Sequence, residues 1–184
     1  MYMRKKVFII DGPDGTGKTT LAQRLSEAYN IPIYHLTYYD DREKFQKQFD
    51  IATEMINQWV RGESDGFILD RYILSEFAYQ KVYRPNIPLV DGADLMFELM
   101  EHRAATGEID VIVALPEDRS KWFELFSSLC EERKEMYSPE KMLKVFDEYE
   151  NLWKKIRYNK HVYRYDLFEN IEGQYKNQIL EINE

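Results

Sequence analysis

Apolar residues fall in two rhythms along this chain. Short unbroken runs have the length and β-branched content of buried strands: Val7-Phe-Ile-Ile10, Ile31-Pro-Ile-Tyr34, Phe67-Ile-Leu69, Val111-Ile-Val-Ala-Leu115 and His161-Val-Tyr-Arg-Tyr165. Between them apolar positions recur every three or four residues, as on one face of a helix. That spacing predicts helices over Lys18–Tyr29, with Leu21, Leu25 and Ala28 on one face, and over Glu43–Val60, with Phe45, Phe49, Ala52, Ile56 and Trp59. Further helices are predicted from after Tyr72 through Gln80, over Ala93–His102, over Glu117–Glu132, from Ser138 to about Arg157, and over Asn170–Ile182. Gly62 and Pro116 are stop signals, and Ser138-Pro139-Glu140 is a helix start: capping serine, first-turn proline, then an acid at the positive dipole end. Tyr83–Asp91 holds Pro85 and Pro88 and is predicted irregular; Glu131–Tyr137 is predicted to be a mobile connection.

Strands alternating with helices imply an α/β fold, a doubly wound parallel sheet between two helix layers. The length of 184 residues suits one domain, 1–184, with a lid near 130–139. No apolar run is long enough to cross a bilayer, and the single cysteine, Cys130, excludes an intrachain disulfide framework. Together with an N-terminus that leads straight into a strand, these features point to the cytoplasm. The formal charge of −8 disfavours a general nucleic-acid binder. The basic stretch Lys154, Lys155, Arg157, Lys160 and Arg164 keeps nucleic acid open as a partner, although a solvated helix end accounts for it more simply. A homodimer is compatible with the pattern.

Gly12-Pro-Asp-Gly-Thr-Gly-Lys-Thr19 matches G-x-x-x-x-G-K-[ST] in full, between a hydrophobic strand and an amphipathic helix. Glycines let successive amides turn inward on phosphate oxygens, and the helix start adds partial positive charge. Gly12, Asp14, Gly15, Thr16, Gly17, Lys18, Thr19 and Thr20 are therefore the candidate ATP-binding residues. Lys18 is expected to reach the β- and γ-phosphates, and Thr19 to ligate Mg²⁺. The fold that goes with this loop is the three-layer P-loop NTPase fold, five parallel strands in the order 2-3-1-4-5.

Asp70 and Arg71 follow the third strand, an acid for magnesium beside a planar fork of donors for phosphate. At this point the chain resembles a family. Asp70-Arg-Tyr-Ile-Leu-Ser-Glu-Phe-Ala-Tyr-Gln80 is similar to the D-R-Y-x-x-S-x-x-A-Y segment of thymidylate kinases, and Asp14 within the phosphate loop fits the same family. The resemblance implies that Arg71 holds the acceptor phosphate, that Asp70 assists the metal and the acceptor oxygen, and that Glu76 and Tyr79 sit beside the acceptor base with Tyr72 nearby. By the same analogy the Tyr165–Asn170 segment borders the adenine. Thymidylate kinases carry Arg-Glu-Pro after the second strand, where this chain has His35-Leu-Thr-Tyr-Tyr-Asp-Asp-Arg42. Tyr38 and Asp40 from this segment are further substrate-side candidates. Asp40 or Asp41 would serve as the base of a nucleoside kinase, and the plainer account is acids at a helix N-terminus. His35, at a strand end, reads as a satisfied core or edge histidine more readily than as a catalyst.

Arg133 and Lys134 stand where a cationic lid belongs, and Arg119 is a second donor-side candidate. The residues thus imply an ATP- and Mg²⁺-dependent kinase of a deoxynucleoside monophosphate, with Lys18, Asp70, Arg71 and Arg133 catalytic. Deoxynucleoside kinases acting on a 5′-hydroxyl, and kinases of a hydroxymethylated pyrimidine free or in DNA, are alternatives. A non-enzymatic switch or ATPase module is another, and the lack of an N-K-x-D segment argues against its GTPase form.

Overall fold

All five residues of β1 (Val7–Asp11) are buried, as an apolar run without alternation requires when helices cover both faces. The structure, a computed structural model, describes residues 6–133 and 138–169, with backbone only at 131–133. β2 (Ile33–His35), β3 (Phe67–Asp70), β4 (Asp110–Ala114) and β5 (Val162–Tyr165) complete one sheet in the order β2-β3-β1-β4-β5. Every pairing is parallel, with Ile10 opposite Asp70 and Ile112. The loops that leave the carboxyl ends of β1 and β3 therefore emerge side by side.

The period of two along the strands divides the core. Phe8, Ile10, Ile68 and Ile112 pack with Leu21, Ala22 and Leu25 of α1 (Lys18–Tyr29) on one face. Val7, Ile9, Leu69, Val111 and Val113 face the other layer, built from α2 (Arg42–Val60), α3 (Ile73–Tyr83), α4 (Ala93–Ala105), α5 (Arg119–Arg133) and α6 (Pro139–Ile156). α2 buries the five predicted residues Phe45, Phe49, Ala52, Ile56 and Trp59. α6 buries Met142, Val145, Phe146, Tyr149, Leu152 and Ile156, and packs on α3 and α5.

Caps set the ends. The Asp41 side chain accepts from the amides of Glu43 and Lys44, both at 3.1 Å, so this acid is a helix cap. Ser138 caps α6 through the Lys141 amide, with Pro139 in the first turn. α5 begins at Arg119 instead of Glu117 because the Asp118 carboxylate accepts the Lys121 amide at 2.9 Å. β2 starts later than expected: Asn30 ends α1 in the left-handed region, and the Ile31 amide turns back to Ser26. Ile31 is thereby used in the α1 core. Within α1, Ala22 is buried and Ala28 is exposed, so the inward stripe runs through Leu21, Ala22 and Leu25. The Asn170–Ile182 helix lies outside the described residues; of the predicted Glu131–Tyr137 connection, residues 131–133 instead continue α5, and 134–137 lie outside the described residues. Among the described residues no helix is long and apolar enough to cross a membrane.

Candidate active site

The phosphate loop turns on glycines that cannot be replaced. A Cβ at Gly12 would lie 2.2 Å from the Ala114 carbonyl oxygen, inside any permitted contact. Gly15 (φ 74°) and Gly17 (φ 79°) occupy the left-handed region, and Gly17 leads directly into α1. The buried Thr16 hydroxyl donates to the Pro13 carbonyl at 2.8 Å, and Lys18 folds back to donate to the same oxygen. Asp14 is braced from behind: the Trp122 indole N–H donates to its carbonyl at 3.0 Å, and Phe126, stacked on Trp122, packs against Gly15. On the α1 side Tyr165 and Leu167 abut Gly17. Residues Asp14 to Thr20 line a cavity of about 370 Å³, joined by His35, Asp70 and Arg71, with Phe126 and Cys130 on the apolar wall.

Lys18 is buried, and desolvation, reinforced by the Arg71 charge, lowers its pKa from 10.5 to about 8. Asp14 lies 3.8 Å from the Lys18 ammonium. Burial alone would raise the Asp14 carboxyl, but Lys18 and Arg71 together hold it below the usual carboxylate range.

At the end of β3, Asp70 is 3% exposed. Its Oδ2 meets His35 Nδ1 at 2.9 Å, while its Oδ1 is buried with no hydrogen-bond partner among the described residues. Arg71 has φ 74°, a left-handed conformation unusual for a side-chain-bearing residue. Its amide donates to the Ile10 carbonyl at 2.8 Å, its guanidinium donates to Asp14 Oδ1, and its Cζ lies 5.3 Å from the centre of the Tyr79 ring. The two motifs, 57 residues apart, thus meet in one ion pair.

A second cavity, of about 500 Å³, opens on the other side of that pair. His35 and Arg71 line both cavities, so the two adjoin. Tyr38, Tyr72, Glu76 and Tyr79 all line the second one, together with Phe45 and Phe49 of α2. Asp40 lines neither cavity and is exposed at the turn before the Asp41 cap. Glu76 is fully buried; it accepts from Arg84 at 2.8 Å and from the Val90 amide at 3.1 Å. The Arg84 guanidinium lies against both the Tyr38 and Phe45 rings, its Cζ 4.8 and 4.9 Å from their centres. Burial pushes the Tyr79 phenol far above its ordinary pKa, so the hydroxyl stays protonated.

Other residues fall elsewhere. Arg119 is exposed and paired with Asp147 at 2.8 Å, away from both cavities. Arg42 opens α2 and donates to the Leu89 carbonyl. Arg133 ends α5, and its side chain and Lys134 lie outside the described residues. The basic stretch does not form one surface: Arg164 turns inward to Glu150 and to the Leu115 and Pro116 carbonyls. Three residues of the site were not singled out by the sequence. Asp11 is hidden as the last letter of an apolar strand, Arg84 sits in an irregular proline-flanked stretch, and His35 had only the look of an edge residue.

No group of three or more His, Cys, Asp or Glu among the described residues could hold a metal by itself. The donor set here fits Mg²⁺ in another way, since that ion typically takes one or two protein oxygens and completes its shell with phosphates and water. Asp70 Oδ1 is such an oxygen, buried and without a hydrogen-bond partner among the described residues, on a residue that lines the same cavity as Thr19.

No family model and no curated protein matches the sequence. Solved structures do match its shape. The YorR protein of Bacillus subtilis, in complex with phosphorylated GDP, superposes with TM-score 0.68 at 18% identity, over 96% of this chain and 95% of that one. The fold is that of the P-loop kinases. Deoxyadenosine kinase from M. mycoides with bound dATP matches at TM-score 0.57 and 15% identity, over 96% and 99% of the two chains. Thymidylate kinase from Candida albicans matches at TM-score 0.57 and 16% identity, over 97% and 91%. The P-loop kinase arrangement of strands, β2-β3-β1-β4-β5, is the one anticipated from the motif.

Proposed function

We propose that this chain is a single-domain, ATP- and Mg²⁺-dependent kinase that phosphorylates a deoxynucleoside monophosphate. The observation that carries the proposal is the junction: a phosphate-loop cavity and an aromatic-walled cavity adjoin at Arg71 and His35, with Lys18 on the donor side. The second cavity suits a base and sugar flanked by Tyr38, Phe45 and Tyr79, and Arg84 offers it hydrogen-bond donors only. Solved structures that share the fold include nucleotide and nucleoside kinases, which agrees with this reading.

In the proposed reaction an oxygen of the acceptor phosphate attacks the γ-phosphorus of ATP in line. The bond to the β,γ-bridging oxygen breaks, and ADP leaves with its electron pair. The acceptor is already anionic, so no base is required. Lys18 neutralises charge on the transferred group, Arg71 holds the acceptor phosphate, and Asp14 orients Arg71 until the phosphates compete for it. Thr19 and Asp70 would hold Mg²⁺, which would supply charge neutralisation for the transfer. Arg133, by its place at the end of α5, is assigned the lid charge.

A deoxynucleoside acceptor is the second reading. Both cations of the acceptor cavity already have carboxylate partners, Arg71 with Asp14 and Arg84 with Glu76, an arrangement that suits a neutral hydroxyl. Transfer from γ-labelled ATP to a panel of deoxynucleosides, deoxynucleoside monophosphates, hydroxymethylated pyrimidine nucleotides and single-stranded DNA separates these readings. Label on the monophosphates supports the first; label on nucleosides alone replaces it with the second.

A further inference from the structure

Asp11 is wholly buried at the end of β1 and lines neither cavity, so it touches neither substrate. Three donors converge on it. The Tyr72 amide donates to Oδ2 at 3.0 Å, the Tyr149 hydroxyl donates to Oδ1 at 3.1 Å, and the Ser75 hydroxyl donates to Oδ1 as well. Burial pushes its pKa up, while these donors and Arg71 oppose the rise. A core that only needed filling would place an apolar side chain here, because an unsatisfied carboxylate at this depth is costly. The donors come from three places, the β3–α3 junction, α3 and α6; Tyr72 and Ser75 also line the second cavity, Tyr149 lines neither, and only the Tyr72 amide adjoins Arg71 in the chain.

That first contact falls on the residue after Arg71. Arg71 carries φ 74°, a conformation that non-glycine residues leave unless their surroundings hold them. Two consecutive amides fasten it: Arg71 N–H to the Ile10 carbonyl at 2.8 Å, and Tyr72 N–H to Asp11 at 3.0 Å. Both acceptors are among the last two residues of β1, immediately before the phosphate loop begins. The backbone of the acceptor arginine is therefore referenced directly to the strand that carries the donor site.

We propose that Asp11 is a positioning residue for phosphoryl transfer: its carboxylate fixes the amide after Arg71 and so holds that arginine in the left-handed conformation that sets its guanidinium between the two cavities. Ser75 and Tyr149 hold the carboxylate in turn, which ties the aim of Arg71 to α3 and α6. The inference rests on the acceptor-side role proposed above for Arg71.

The test combines a structural and a kinetic readout on the full chain. In a crystal structure of Asp11→Ala the Arg71 φ is expected to leave the left-handed region and the contact with Asp14 to be lost. ATP consumption is followed with an equimolar mix of the four deoxynucleoside monophosphates. Asp11→Ala is expected to lower kcat by about 10- to 100-fold while the KM for ATP changes by less than about twofold, since a misplaced group near the chemistry costs on that order. Asp11→Asn, which can still accept the Tyr72 amide, should recover part of the loss. In an Arg71→Ala background, Asp11→Ala should add less than about a twofold loss, because coupled residues are non-additive. Equal losses in both backgrounds, or an Arg71 φ that stays left-handed in Asp11→Ala, would overturn the inference. If Asp11→Ala does not fold, Asp11→Asn and Tyr149→Phe carry the same measurements. An Arg71→Ala protein as active as the unmodified one, or an unmodified protein that ignores the nucleotide mix, counts against the proposed function instead; the Arg71 conformation then still decides the role of Asp11.

Discussion

Lys18 is a cation in a place that disfavours cations. Burial and Arg71 bring its pKa down to about 8, so in the free protein the ammonium is lost as pH rises through that value. Phosphate oxygens favour the charged form and raise the pKa again on binding. ATP affinity should therefore weaken as pH rises through about 8, and binding near that pH should take up a proton, seen in calorimetry as a heat that depends on the buffer. The sign for folding is the opposite. Between about 8 and the ordinary value of 10.5 the unfolded chain holds more protons than the folded one, so the contribution of Lys18 to stability improves as pH rises through that window. Lys18→Ala should reduce transfer by at least about a hundredfold, as removal of a cation from developing charge does. Glu76 and Arg84 make a different kind of pair, the first buried and the second largely so, both on the wall of the second cavity. Glu76→Ala leaves Arg84 without its carboxylate, and should cost about 3 kcal/mol in denaturant unfolding as well as acceptor affinity. Unchanged stability would mean that the pair is weak.

At the scale of elements, periodicity carried the reading well where one interaction dominated. The α2 stripe from Phe45 to Trp59 and the α6 start at Ser138 were legible because burial and capping act locally. The misses have local causes too. β2 is displaced because Asn30 closes α1 in a left-handed turn, which a run of apolar letters does not reveal. α3 continues past Gln80 to Tyr83 because Arg84, its C-cap, and Gln80 fold the following loop back onto the helix. Within the site, glycines and the Asp-Arg pair were readable since their chemistry is written in the residue type. Asp11 and Arg84 were not, because their roles depend on partners brought together by the sheet and by the loop before α4. Capping makes a separate prediction. Asp41→Ala removes the acceptor for two amides, and should lower stability by about 1 kcal/mol without changing turnover. A change in acceptor KM in that variant would instead give Asp41 a part in the site.

For the whole molecule, the parallel sheet does one thing that no single element can. It sets the ends of β1 and β3 side by side, so that the glycine-rich loop after β1 and Arg71 after β3 meet in one ion pair. A chain of formal charge −8 thereby gathers Lys18, Arg71 and Arg84 around two joined cavities, beside the carboxylates of Asp14, Asp70 and Glu76. Arg71→Ala should weaken the acceptor side by about 10- to 100-fold in kcat/KM and leave ATP binding nearly unchanged. The central claim is that the first of these cavities holds a nucleotide polyphosphate, and titration calorimetry with ATP and Mg²⁺ tests it most directly. The account predicts one ATP bound per chain, with the heat largely lost in Lys18→Ala. No heat of binding in the unmodified protein, or equal binding in the variant, would contradict it.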